Sequence, residues 1–538
     1  MLTMVMALSM FTIGCTESDE LTEIIAENEQ KENSSDTPDP TIDEVAKALD
    51  AIDFVTDIRM EDVADVASGE TRRYYTFFFV QLVDHNDPSK GYFKQQARIR
   101  ISTKGLTAPV VLYTHGYNMP EIKNCDASEI SDYLDASTLW VEHRYFNNSL
   151  PEPFENLEFT YLNADQAAQD LHAIVSTMKQ TVFKQSGKWV STGVSKDGIT
   201  TGLYAYYSDK YGWDDIDLYM PFCAPFLEAT PESCDDPKMG QYLYETSGSG
   251  YPAGSQEALA YQRLRQIPTA LIQNKELRDA CLRLYHEKDP TDYVEVINTF
   301  GRDEESVTAG VLHLYFHYLH GKFSYVPFKK WAGMVPEVND AERMSKFIMM
   351  SEEELLKMIS NENNVDNTYT YNETPNSAVS EPRVLSDDEL LQFRGINPSM
   401  PYHVQAVREL GNIRMDLSSL NGLNFPGSTN DFGYLAATVS HQFEISVLYQ
   451  RYAHQWDGGK LMKSFRQWVK TQNKYNMIFG YSFNDPWTGG AIDESTNPKV
   501  KRIICRNGTH TDAFLDPECY TEEEKQLLLS WIHDFIGL

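Results

Sequence analysis

The stretch Lys188–Tyr211, KWVSTGVSKDGITTGLYAYYSDKY, changes its pattern in the middle. Residues 188–194 are typical of a short strand, and residues 196–211 continue as a helix. Ser195 therefore lies at a strand-to-helix turn. At such a turn a serine hydroxyl is lifted clear of the sheet, and the N-terminus of the helix supplies N–H donors for an oxyanion. We expect Ser195 to be a nucleophile.

The motif around Ser195 departs from G-x-S-x-G at one position, because Asp197 stands where the second glycine is expected. A side chain there is expected to crowd the strand and the helix, at a cost of about 1–3 kcal/mol. The sequence thus predicts that Asp197→Gly raises the reaction rate. The alternative is that Asp197 points away from the turn and pairs with a cation.

Strand-like and helix-like segments alternate on both sides of this turn, which predicts a mostly parallel sheet with helical crossovers. Two antiparallel strands, RRYYTFFFVQLVDH and YFKQQARIRIST, precede the alternation. The predicted elements that follow are strands in 108–118, 137–146, 188–194 and 215–226, and helices over 164–183 and 196–211.

The pattern becomes helical from about 227 to 455, apart from a polar stretch at 360–383, and strands return after 470. A sheet that is interrupted by helices and then resumed indicates an inserted domain. We therefore predict an α/β fold, an α/β-hydrolase core with a mainly helical cap.

Two later residues have the chain order and placement that a serine nucleophile requires of its partners. Asp485 follows the predicted strand MIFGYSF, and His510 follows the strand RIIC. A histidine in this position takes the serine proton, and a buried aspartate orients it. Asp493 is the alternative acid.

Several segments resemble the prolyl tri/tetrapeptidyl aminopeptidases, and the resemblance spans about 70–538. They are LWVEHRYFNNSLP, YLNADQAAQDLHAIV, STGVSKDG, YMPFCAPF, NDPWTGG and NGTHTDAF. This family consists of exported bacterial serine peptidases with an α/β-hydrolase core and a helical cap. It is similar to the Pro-X carboxypeptidases and dipeptidyl peptidases. The resemblance implies a triad of Ser195, Asp485 and His510, and release of short peptides after proline.

Four further residues are candidates for the site. The oxyanion donors are expected to be the N–H groups of Lys196 and of Tyr117, in the turn after the strand VVLYT. Glu142 is a candidate substrate-binding residue, with a structural ion pair to Arg144 as the alternative. Glu409 is a candidate counter-charge for a substrate's free amine, or else a solvated helical residue.

Three histidines, His313, His317 and His320, share one helical face. The H-E-x-x-H spacing is absent, so we expect packing rather than a metal site. The cysteines after residue 15 number six, an even count that permits disulfides, without Cys or His metal spacing. No metal and no cofactor is expected.

The N-terminal run MLTMVMALSMFTIGC is typical of a signal peptide, and its Gly14-Cys15 end resembles a bacterial lipobox. Residues 16–45 hold eleven acidic residues and one lysine, which is typical of a disordered tether. We expect export and lipid anchoring at Cys15 in the bacterial envelope. The formal net charge of −33 argues against nucleic acid as a partner.

The expected organisation is a signal peptide at 1–14, a lipidated tether at 15–45, core at 46–226, cap at 227–455 and core again at 456–538. The expected function is an exported serine peptidase that releases tri- and tetrapeptides from free N-termini through an acyl-enzyme. The alternatives are an esterase on the same scaffold and a surface-binding lipoprotein that has lost catalysis.

Overall fold

The computed structural model of the chain describes most of the sequence after residue 43. The described residues are 44–64, 71–119, 122, 129–152, 158–227, 250–290, 301–362, 400–411, 424, 452–510 and 519–537. Cys15, Cys125, Cys234, the predicted signal peptide and most of the tether and of the polar stretch lie outside them. None of the helices in these ranges combines the length and apolar character that a membrane span requires.

Nine strands form one sheet in the order β1-β2-β3-β5-β4-β6-β7-β8-β9. The first three strands pair antiparallel, as does β3 with β5, and the remaining neighbours are parallel. Their bounds are β1 Val55–Ala64, β2 Thr71–Leu82, β3 Tyr92–Arg100, β4 Val110–Thr114, β5 Ser137–Val141, β6 Trp189–Val194, β7 Leu218–Phe222, β8 Asn476–Ser482 and β9 Val500–Cys505. The parallel strands place their carboxyl ends at one edge.

Helices cover both faces of the sheet, as the alternation in the sequence predicts. One hydrophobic cluster includes α1 Glu44–Asp50, α3 Ala164–Gln180, α4 Lys196–Tyr211 and α12 Lys460–Thr471. The opposite cluster includes α2 Glu129–Tyr133 and α13 Glu522–Ile536. Successive residues of β4 point to opposite clusters, because side chains alternate along a strand. The α/β-hydrolase core is therefore confirmed.

The described part of the chain between β7 and β8 is mainly helical and has its own hydrophobic cluster. Its helices are α5 Gln256–Gln273, α6 Lys275–Lys288, α7 Glu304–Tyr325, α8 Phe328–Trp331, α9 Ala341–Ile348 and α10 Glu352–Glu362, followed by α11 Met400–Gln405. We call α5–α10 the helical block. The predicted limits of the cap at 227 and 455 stay predictions.

A buried ion pair anchors the chain after β5. The Arg144 guanidinium donates to both carboxylate oxygens of Asp170, with each N···O distance at 2.7 Å, and both side chains are almost fully buried. His85 contacts the same carboxylate at 2.7 Å. Burial alone would raise the pKa of Asp170, but the charge and hydrogen bonds of Arg144 hold it below its ordinary value.

We expect Asp170→Asn to lower the free energy of unfolding by about 3 kcal/mol, because it leaves a buried guanidinium without its counter-charge. Asp62→Asn is the matched control, since Asp62 makes the same two-bond contact with Arg73 in solvent. Urea denaturation of both variants measures the difference. Equal losses would show that burial does not set the strength of this pair.

Candidate active site

Ser195 lies between β6 and α4 with φ 61° and ψ −124°, a conformation that non-glycine residues rarely adopt. Its N–H donates to the carbonyl of Phe222, at the end of the neighbouring strand β7, at 2.9 Å. The side chain is half-buried. This is the geometry of a nucleophile elbow, in which backbone strain exposes the hydroxyl above the sheet.

Two glycines allow the strand and the helix to approach each other at this turn. A Cβ on Gly193 would lie 2.5 Å from the carbonyl carbon of Asp197, and one on Gly198 would lie 2.7 Å from the Phe222 carbonyl oxygen. The motif predicts that the close approach of strand and helix requires a glycine at position 197. In the structure, Gly193 and Gly198 stand at this close approach. The Asp197 Cβ lies at the same close approach, 2.7 Å from where a Cβ on Gly193 would stand, and the expectation that this side chain strains the turn stays a prediction.

The Asp197 carboxylate instead accepts a hydrogen bond from the backbone N–H of Gly116, in the turn after β4. Its other oxygen lies 3.7 Å from Nδ1 of His115. The main partner of Asp197 is thus a backbone N–H. The alternative prediction, that Asp197 pairs mainly with a cation of the core, is not what the structure shows. Asp197 ties the start of α4 to the turn His115–Tyr117.

This contact joins the two segments that carry the predicted oxyanion donors. Lys196 begins α4, so its N–H lies in the first turn, where helix N–H groups have no intrahelical acceptor. The turn at Gly116 packs against it, since a Cβ on Gly116 would lie 2.8 Å from Cγ of Lys196. Tyr117 follows in the same turn, and its ring packs against Phe146 and Tyr402.

The Lys196 side chain is buried beside the site. Its Nζ lies 5.7 Å from the centre of the Phe146 ring. Burial lowers the pKa of Lys196 to about 7, although the Asp197 and Glu409 carboxylates oppose this change. The neighbouring His143 is also buried, which together with the Lys196 charge lowers its pKa.

Asp485 and His510 form a buried pair at the carboxyl ends of β8 and β9. The Asp485 Oδ2 lies 2.8 Å from His510 Nδ1, and the side chains are 0% and 7% exposed. The Asp485 Oδ1 accepts a hydrogen bond from the Trp487 N–H at 3.0 Å, which fixes the carboxylate. Asp493 is half-exposed and pairs with Arg466 and Lys470, so it does not contact this histidine.

The end of strand β7 connects Ser195 with this pair. The residue after Phe222, whose carbonyl binds the Ser195 N–H, is Cys223. The Cys223 Sγ lies within 4.8 Å of ligand atoms of both Asp485 and His510. Phe222 thus contacts the elbow, and the next residue lies beside the Asp–His pair.

The helical block contacts the same edge of the sheet. The His510 N–H donates to the Ser324 carbonyl of α7 at 2.9 Å. The His320 ring of α7 packs edge-on against Trp487 with ring centres 4.7 Å apart, and burial lowers the pKa of His320 to about 3. His313 and His317 stack with ring centres 6.4 Å apart. The packing interpretation therefore fits His320, whose neutral ring faces the site.

The structure gives Glu142 structural contacts, and substrate binding by this residue stays a prediction. Its carboxylate is fully buried and accepts hydrogen bonds from the Met119 N–H at 2.8 Å and the Ser149 hydroxyl at 2.6 Å. The alternative, an ion pair with Arg144, is wrong, because Arg144 binds Asp170. Glu142 holds the loops after β4 and β5 together.

Glu409 lies in a π-helical turn, Ala406–Leu410, after α11. Its Oε1 accepts hydrogen bonds from the Ala164 N–H at 2.7 Å and from Gln405 at 2.9 Å. It therefore caps the start of α3, where a carboxylate is favourable. Burial raises its pKa to about 7, which weakens it as a counter-charge for an amine.

No sequence pattern indicates Cys223 or Ser324 as neighbours of the site. Cys223 is one buried cysteine after one strand, and its place beside His510 depends on the strand order of the sheet. Ser324 lies 186 positions before His510. Only the packing of α7 on the sheet edge brings the two together.

We expect Asp197→Gly to slow covalent labelling of Ser195 by a fluorophosphonate about tenfold or more. The variant removes the acceptor that fixes the Gly116 turn, and misplacing an oxyanion donor costs up to about 10²–10³ in rate. Asp197→Asn is the matched control, since its amide oxygen keeps the acceptor without the charge. Second-order labelling rates of the three proteins measure this. Faster labelling of the glycine variant would favour the strained-turn hypothesis instead.

A comparison with known proteins finds one family model and one relative that are similar to this chain. The family model described as PS-10 peptidase S37 matches residues 45–233, which contain the elbow. The Streptomyces mobaraensis protein "Prolyl tri/tetrapeptidyl aminopeptidase" is 24% identical over 419 residues, which are 78% of this chain and 70% of that protein.

Solved structures of hydrolases match parts of the chain. An esterase from Pyrobaculum calidifontis matches at 13% identity and a TM-score of 0.21, over 39% of this chain and 54% of its own. Acetyl xylan esterase 1 from Thermoanaerobacterium sp. matches at 11% identity and a TM-score of 0.24, over 36% of this chain and 61% of its own. The elbow, the buried Asp–His pair and these matches indicate a serine peptidase that is similar to the peptidase S37 family, whose model matches residues 45–233 of this chain.

Proposed function

We propose that this serine peptidase releases short peptides from free N-termini by cutting after proline through an acyl-enzyme. The observation that carries the proposal is the pairing of the Asp485 carboxylate with His510 Nδ1 at the sheet edge where Ser195 forms the elbow. The printed name of the Streptomyces mobaraensis relative, a prolyl tri/tetrapeptidyl aminopeptidase, supports the choice of substrate.

In the proposed reaction the Ser195 hydroxyl attacks the scissile carbonyl while His510 Nε2 takes its proton. Asp485 accepts the hydrogen bond from Nδ1–H and stabilises the imidazolium that forms. The N–H groups of Lys196 and Tyr117 bind the oxyanion. His510 then protonates the leaving amine, and water hydrolyses the acyl-enzyme in a second cycle of proton transfers.

Two features beside the pair support the proposed substrate: one concerns the residue before the scissile bond and the other the length of the peptide. The partly exposed Trp487 ring lies 5.8 Å from the His510 ring, centre to centre, and offers an apolar surface of the kind that a proline ring requires. The helical block contacts the site through α7, which favours short substrates. Glu409 has no role in binding the substrate's amine in this proposal, because its hydrogen bonds to Ala164 and Gln405 give it a structural role.

We expect Ser195→Ala, His510→Ala and Asp485→Asn each to lower kcat by about 10³ or more, because each removes a member of one proton-transfer unit. Asp493→Asn is the matched control and should leave kcat within about twofold. The assay is hydrolysis of tri- and tetrapeptide anilides that end in proline.

The same assay tests the substrate proposal. Acetylation of the peptide's amine, or replacement of proline by alanine, should lower kcat/KM at least tenfold. Equal turnover of acetylated and free peptides would contradict the aminopeptidase proposal. Turnover of simple acyl esters without turnover of any peptide would favour the esterase.

We also propose that the protein is exported and anchored by lipid at Cys15, on the basis of the N-terminal sequence. Cys15→Ala should move the protein from the membrane fraction to the soluble fraction and leave its kcat unchanged, because it removes the proposed attachment site of the lipid. Stable anchoring requires more than one acyl chain, so the proposed anchor is a multiply acylated Cys15. Fractionation of cells followed by the peptide assay measures both. Recovery of the unchanged protein wholly in the soluble fraction would contradict the anchor.

A further inference from the structure

A cysteine thiol lies directly beside the proposed catalytic pair. The Cys223 Sγ, a carboxylate oxygen of Asp485 and a ring nitrogen of His510 all lie within 4.8 Å of one another. The three residues are 5%, 0% and 5% exposed. Cys223 follows β7 with φ 46°, and its N–H donates to the Gly480 carbonyl of β8 at 2.7 Å. The thiol itself lies 3.7 Å from the Ser482 hydroxyl and 3.8 Å from the Thr509 carbonyl.

These three groups are donors that Zn²⁺ prefers in proteins. Zinc binds thiolate at about 2.3 Å and imidazole or carboxylate at about 2.0–2.2 Å, so the ligand atoms around a tetrahedral ion lie about 3.5 Å apart. The most widely separated of the three atoms, which lie within 4.8 Å of one another, must therefore approach by up to about 1.3 Å. Three protein ligands leave the fourth position to water, as in the open sites of zinc proteins.

We propose that Cys223, Asp485 and His510 form a binding site for a thiophilic divalent cation such as Zn²⁺, and that its occupation inhibits the peptidase. On binding, Cys223 loses one proton to solvent, and the ion bonds to the thiolate sulfur, a carboxylate oxygen and one imidazole nitrogen. Coordination at Nε2 blocks the lone pair that would accept the Ser195 proton. Coordination at Nδ1 shifts the imidazole proton to Nε2, with the same result.

The proposed function is needed only for the consequence, inhibition, and not for binding of the ion. The sequence could not indicate this site, because its three ligands come from positions 223, 485 and 510, each after a different strand. Spacing motifs such as C-x-x-C identify only ligands that are close in the chain. Here the order of β7, β8 and β9 in the sheet brings the ligands together.

The test uses the full chain with Zn²⁺ and Co²⁺ as probes. Calorimetry should give one Zn²⁺ per chain, and Co²⁺ should produce a thiolate-to-cobalt charge-transfer band. Cys223→Ala should weaken binding at least tenfold and abolish the band. Cys281→Ala is the matched control, because Cys281 is a buried thiol of the helical block. Cys223→Ser is a second variant in case the alanine variant folds poorly.

Inhibition is measured in parallel, relative to each variant's own activity without metal. Zn²⁺ should inhibit the unmodified protein and EDTA should restore it, while Cys223→Ala should need at least tenfold more Zn²⁺ for the same inhibition. Unchanged Zn²⁺ affinity in both Cys223 variants would overturn the inference. A thiolate band in a protein that cleaves no peptide would support the site and contradict the proposed function instead.

Discussion

The left-handed backbone of Ser195 is the constraint on which the rest of the site depends. A conformation with φ 61° costs about 1–3 kcal/mol, and it persists only when its surroundings fix it from several sides. The carbonyl of Phe222 binds the Ser195 N–H, and Gly193 and Gly198 let strand and helix close around it. Asp197 adds a contact to the turn after β4. The nucleophile is therefore held both by the glycines of its own motif and by neighbouring strands of the sheet.

The other half of the site depends on residues far away in the chain. The backbone of His510 is bound by the Ser324 carbonyl of α7, and the side chain of Asn484 accepts a hydrogen bond from the Tyr251 hydroxyl at 2.8 Å. Trp487, whose ring lies near His510, also packs against His320 of α7. The helical block therefore stabilises the loops that carry Asp485 and His510. Its position affects the geometry of the pair as well as access to it.

The strands and helices of the core could be predicted because their apolar periodicity is local. Strands β2–β9, α3, α4 and α13 appear where the sequence indicates them, and the order of Ser195, Asp485 and His510 follows strand placement. Strand β1 was not predicted, since much of it is exposed and it carries acidic residues on the sheet's edge. Periodicity does not distinguish such an edge strand from a loop.

What the sequence could not supply were the directions of single side chains. Asp197 was expected to strain the elbow, yet its carboxylate binds Gly116, a contact that depends on the spacing of β4 and β6. Arg144 was paired with its neighbour Glu142, but the structure pairs it with Asp170 of α3. Each contact joins residues of different elements, and local sequence patterns do not indicate such partners.

The topology of the sheet also affects how the chain is made. Strand β8 pairs with β7, but residues 223–475 lie between them. At about 5–20 residues per second, a ribosome needs roughly 13 to 50 s to synthesise that segment. During this time the edge of β7 has no neighbour, and an unpaired apolar edge is where chains pair with one another and aggregate. All five residues of β7 are buried in the finished fold. The sheet edge that carries Asp485 and His510 is therefore complete only when β8 and β9 have joined β7.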